Sequence, residues 1–132
     1  MKRDLPTSTI LVKDCPQVLA FLREIGLSVI QDPLAEGFMP GIQIQDGGLR
    51  VAATAAVSDL LHESAHLAIL PARYRPLMSG NLYAGLKAMI EDLKSVDVMS
   101  PLYQAALQSS DPEATAWAWA AGKYLQLPEA SI

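Results

Sequence analysis

The chain has one cysteine, Cys15, so no internal disulfide can form and nothing in its thiol content argues for an oxidising compartment. It has only two histidines, and neither lies near Cys15, which therefore lacks a base to make it a nucleophile and reads as a small apolar core residue or a helix start. Charge is sparse: 18% of residues are Asp, Glu, Lys or Arg, and the ten basic residues form no stripe. Without such a stripe, direct nucleic-acid binding is excluded as an expectation. The formal net charge of −4 suits a soluble protein and selects no partner. No apolar run is long enough for a membrane span, and Met1-Lys2-Arg3-Asp4-Leu5-Pro6 carries charge without the apolar stretch of a signal peptide. Cytoplasmic residence is the resulting expectation. Internal repeats and low-complexity tracts are also missing.

What is present is an apolar chain, 51% hydrophobic with much alanine, whose 132 residues suit a single domain spanning residues 1–132. A chain of this size buries roughly two-thirds of its unfolded surface and needs no covalent staple. Asp14-Cys15-Pro16 reads as a helix start, followed by Val18, Leu19, Leu22 and Ile25 at helical spacing, with Gly26 as the stop. Leu27 to Gln31 reads as a strand. Ile42 to Gln45 alternates apolar and polar, Asp46-Gly47-Gly48 signals a tight turn, and Leu49-Arg50-Val51 resumes the alternation. Together these predict a small antiparallel three-stranded sheet.

A long apolar helix is expected from about Ala53 to Leu70, stopped by Pro71, then an amphipathic helix over Asn81 to Leu93 and a short one over Pro101 to Leu107. Asp111-Pro112-Glu113 starts the last helix, with Asp111 as N-cap, running to about Gln126. Strands early and helices late make the fold class α+β.

Both histidines fall in one string, His62-Glu63-Ser64-Ala65-His66, the H-E-x-x-H pattern. On a helix, residues four apart share a face, so the two imidazoles can hold one zinc ion. Glu63 leaves the helix at about 100° from His62. That makes it a poor third ligand but a good base for the water that zinc activates. Polar groups flanked by Leu60, Leu61, Leu67, Ala68 and Ile69 are costly unless partnered. Asp59, one turn before His62, is a candidate acceptor behind an imidazole.

A catalytic zinc takes three protein ligands, and no histidine remains. The downstream acids are Glu91, Asp92, Asp97, Asp111, Glu113 and Glu129, and chemistry alone leaves them open. An oxyanion donor must come from Tyr74, Tyr83, Tyr103, Tyr124 or an arginine; the loop carrying Arg73, Tyr74 and Arg75 follows the motif most closely.

Two segments together resemble the ImmA/IrrE family of metallopeptidases. Leu60-Leu61-His62-Glu63-Ser64-Ala65-His66-Leu67-Ala68 is similar to that family's metal helix. Asp111-Pro112-Glu113-Ala114-Thr115-Ala116-Trp117-Ala118-Trp119-Ala120, followed by Leu125 and Pro128, is similar to its later Glu-Ala helix. The resemblance covers about residues 40 to 128. It implies a minimal gluzincin fold, a small sheet packed on the metal helix with the glutamate helix beside it, and Glu113 as the third zinc ligand. Ala65 stands where the family often has Gly, and the helix-turn-helix domain often fused to such proteins has no signature here.

The expected function is that of a zinc-dependent metallopeptidase-like hydrolase acting on a peptide or protein, with a regulatory protein as a further candidate partner. The alternative is a non-catalytic regulatory or protein-binding module that keeps the fold, with Trp117 and Trp119 as groove candidates. The apolar excess permits a homodimer, and two imidazoles with a carboxylate also suit iron.

Overall fold

A computed structural model describes residues 9–132. Met1 to Pro6, the segment expected to lack a signal sequence, lie outside the described residues. Among the described residues there are five α-helices and one three-stranded sheet. Helix α1 spans Pro16–Glu24, strands β1, β2 and β3 span Val29–Gln31, Ile42–Gln45 and Gly48–Val51, and helices α2, α3, α4 and α5 span Val57–Ala68, Leu82–Leu93, Pro101–Leu107 and Asp111–Tyr124. The α+β class expected from the residue pattern is the class observed. No described helix is long and apolar enough to cross a membrane.

Proline begins α1, and the chain leaves it through Gly26 at φ +101°, a backbone angle that favours glycine. The Gly26 N–H donates to the Arg23 carbonyl and the Leu27 N–H to that of Leu22, closing the helix end. Cys15, just before α1, is buried as the composition suggested. The β2–β3 hairpin turns at Asp46 and Gly47, both at positive φ, as a two-residue turn between right-twisted strands demands.

The sheet departs from expectation. Its order is β1-β3-β2, and β1 pairs with β3 in parallel, Val29 opposite Leu49 and Gln31 opposite Val51. The sheet is mixed, not antiparallel. The connection from Asp32 to Gly41 lets β1 pass over its sequence neighbour β2 and take the free edge of β3. That leaves β3 paired on both sides, with Leu49 and Val51 almost fully buried.

Helix α2 begins later than the apolar run suggested. Residues Ala52 to Ala56 spend their backbone groups on other segments: Val12 N–H donates to the Ala55 carbonyl (2.8 Å), Lys13 to Ala53 (3.0 Å), Val57 to Ile10 (2.8 Å), and Ala52 to Gly41 (2.8 Å). Those bonds hold the stretch extended and turned, so the helix starts only at Val57. Helix α5 begins one residue early for its expected cap: Ser110 is the N-cap and Asp111 the first helical residue.

Side chains of α1, the sheet, α2, α3, α4 and α5 share one hydrophobic core, with Val57, Leu60, Leu61, Ala65 and Leu67 of α2 fully buried. Helix α5 packs against α2. Its buried residues Ala114, Ala118 and Ala121 recur at i, i+4 and i+7, and their small side chains permit a close approach.

Gly85 marks another close approach. A Cβ there would lie 2.6 Å from both the Leu77 carbonyl oxygen and the Met78 sulfur. Helix propensity alone would favour Gly85→Ala by about 1 kcal/mol. We expect the opposite sign, a loss of about 1–3 kcal/mol from overpacking against backbone, measurable by urea unfolding at neutral pH.

Candidate metal site

Seven of the twelve residues of α2 are buried, Glu63 among them, and His62 and His66 flank it on the helix. The His62 and His66 rings stand edge to face, centroids 4.9 Å apart and planes at 89°. Donor atoms of His62, Glu63 and His66 all lie within 4.8 Å of one another, a grouping that could hold a metal ion. The i, i+4 spacing put the imidazoles one turn apart, and the helix brings Glu63 alongside them.

Glu63 is only 7% exposed. Burial pushes its pKa up; His62 pulls it down and Asp59 pushes it up again. A carboxylate with raised basicity suits proton transfer near neutrality. Burial pushes the His66 imidazole down, reinforced by His62 and opposed by Asp111. A neutral imidazole keeps the lone pair that a metal requires.

These three side chains open into a cavity of about 640 Å³, completed by Phe38, Gly80, Asn81, Leu82 and Asp111. The cavity wall therefore comes from α2, the loop before β2, and the first residues of α3 and α5. Phe38 is 88% exposed there, and the residue pattern offered only one hint of it, an aromatic set between the breakers Gly37 and Pro40. Asn81 caps α3 by accepting from the Tyr83 N–H (3.0 Å), an assignment legible only once the start of α3 is known.

The other candidates lie as follows. Asp59 is half-buried, and its charge acts on Glu63, one turn ahead. Glu113 is exposed, and its Oε2 accepts from the Ser110 hydroxyl. Asp111, two residues earlier, brings its Oδ1 to 4.0 Å from His66 Nδ1. The Tyr74 hydroxyl donates to Asp92 Oδ2 (2.6 Å), and Arg73 Nη2 donates to the same oxygen (2.9 Å). Arg75 donates to the Leu67 and Leu70 carbonyls at the end of α2. Among the described residues, no tyrosine and no arginine lines the cavity.

The chain matches no protein-family model, no curated protein and no solved structure. The geometry of the site thus carries the functional reading.

The Tyr74 phenol is held above its ordinary pKa, first by the hydrogen bond to Asp92 and then by burial and the Asp92 charge, with Arg73 opposing. A raised folded-state value contributes stability that is complete below the ordinary phenol pKa, about 10, and is lost as pH rises through the folded one. Thermal midpoints measured from neutral to strongly alkaline pH should fall more steeply for the wild type than for Tyr74→Phe. Parallel curves would refute this linkage.

Proposed function

We propose that the protein is a zinc-dependent peptidase-like hydrolase of minimal zincin type, related to the ImmA/IrrE metallopeptidases, with the small sheet packed on the metal helix. The observation that carries this reading is the convergence of His62, Glu63 and His66 donor atoms within 4.8 Å at the wall of an open cavity. Two imidazoles one helical turn apart suit zinc's preference for nitrogen donors, and the carboxylate beside them suits a base for a water at the ion, so the residues fit it. The lowered His66 pKa adds to the fit, because the ligand form is the neutral one.

In this reading His62 and His66 hold the ion. Glu113, the third ligand implied by the family resemblance, stands on the first turn of α5, the turn whose Asp111 borders the cavity. To serve, its carboxylate would have to leave the Ser110 hydroxyl. A zinc ion held there would supply a Lewis acid and a water acidified to a pKa of about 7. Glu63 would accept a proton from the attacking water and return it to the leaving amine, and its burial raises its basicity for both transfers. Phe38 and Leu82 at the cavity offer apolar contact to a substrate side chain. Tyr74 and Arg73, the sequence candidates for oxyanion stabilisation, would have to leave Asp92 to act there.

Glu63→Gln should abolish chelator-sensitive cleavage of denatured protein, by about 100-fold or more, while bound zinc measured by atomic absorption stays at the wild-type stoichiometry. Loss of metal together with activity would reject Glu63 as the base. Glu113→Ala should lower zinc affinity sharply in a competition titration against a chromophoric chelator. An unchanged affinity would remove Glu113 from the ligand set.

A further inference from the structure

We infer that Asp111 is the residue that positions His66 for metal binding: its carboxylate accepts from His66 Nδ1–H and so turns the Nε2 lone pair towards the ion. The inference rests on the metal-site reading above and adds a residue to it.

Three observations bring Asp111 to this role. Its Oδ1 stands 4.0 Å from His66 Nδ1, and it lines the same cavity as His62, Glu63 and His66. The metal-competent grouping nevertheless contains only His62, Glu63 and His66, not Asp111. An acid facing one ring nitrogen cannot share an ion bound at the other, because the two lone pairs of an imidazole diverge. Asp111 therefore acts through the ring and not beside it. Metal-ligating histidines commonly give their second N–H to a carboxylate, which fixes the tautomer and the ring orientation. The Asp111 side chain is 90% exposed and can swing the remaining distance of about 1 Å to a hydrogen bond near 2.9 Å.

Helix rotation explains why Asp111 and not Glu113 faces the imidazole. At 100° per residue, Asp111 lies about 50° from the centre of the Ala114, Ala118 and Ala121 stripe that packs α5 into the core, whereas Glu113 lies about 110° away. The stripe turns towards α2, and one turn further towards the helix N-terminus it presents Asp111. The alternative role for Asp111, a favourable charge at the start of a helix, needs no contact with His66. It predicts a stability effect alone.

The test is zinc competition titration at neutral pH on the wild type, Asp111→Ala and Asp111→Asn, together with 15N NMR of the imidazoles and X-ray absorption of the zinc complexes. Asp111→Ala should weaken zinc by about 10- to 100-fold with an unchanged number of light-atom ligands. Asp111→Asn, whose amide oxygen still accepts, should recover part of that loss. The wild-type His66 should show a protonated Nδ1 and Asp111→Ala a mixture of tautomers. Equal affinity in wild type and Asp111→Ala would overturn the inference and leave the metal site standing. A larger loss with one ligand missing from the absorption spectrum would also overturn it, by making Asp111 a ligand. Failure of the wild type to bind zinc would overturn both readings.

Discussion

The cavity depends on one constraint: α2 is pressed into the core while carrying an ionisable stripe. Burial of Val57, Leu60, Leu61, Ala65 and Leu67 drives the helix inward, each large side chain contributing about 1.5–3 kcal/mol. The same burial strips water from Glu63 and His66 and moves their pKa values in opposite directions, the carboxyl up and the imidazole down. Both shifts favour neutral forms. A neutral imidazole keeps a free lone pair and a reluctant carboxylate is a stronger base once ionised, so the apolar packing that makes the helix stable also tunes both groups. Ser64 shows how strongly packing dominates here: its hydroxyl is buried with no hydrogen-bond partner among the described residues, a cost of about 1–3 kcal/mol that the surrounding contacts outweigh.

A helix so placed must be held at both ends. Its last carbonyls have no partner within the helix. Arg75 supplies one, donating to Leu67 and Leu70 where a cation also complements the helix dipole. Tyr74 and Arg73 then tie the same loop to Asp92 of α3, whose first residues border the cavity. The loop that follows α2 therefore ties the end of α2 to the end of α3. Arginines and a tyrosine beside a candidate site invite a chemical role, but guanidinium and phenol groups serve equally well as anchors, and only their partners distinguish the two uses.

Local chemistry was legible in the chain. Asp46-Gly47 specified its hairpin because both positions require positive φ, and Pro16 and Pro112 marked helix starts because proline tolerates the first turn. His62, Glu63 and His66 were legible as a unit because their geometry is internal to one helix. What lay between elements was not. The parallel pairing of β1 with β3 follows from which strand edge is free, and residues 53 to 56 look helical by composition while their backbone bonds go to residues 10 to 13. Phe38 reaches the cavity from a loop that no periodicity describes.

The acids of α5 show where that boundary falls. A motif names a turn of helix, but two residues on that turn can point to opposite sides. Which one reaches the imidazoles is fixed by the azimuth of the whole helix, and that is set farther along by Ala114, Ala118 and Ala121. Had the small residues fallen one position later, the stripe would have rotated by about 100° and put Asp111 on its opposite flank. Alanines with no chemistry of their own thus decide which carboxylate faces the site. The same logic applies to Trp117 and Trp119 on that helix: one packs on Phe21 at 6.2 Å, while the other, two residues on, is left largely exposed beside Lys123.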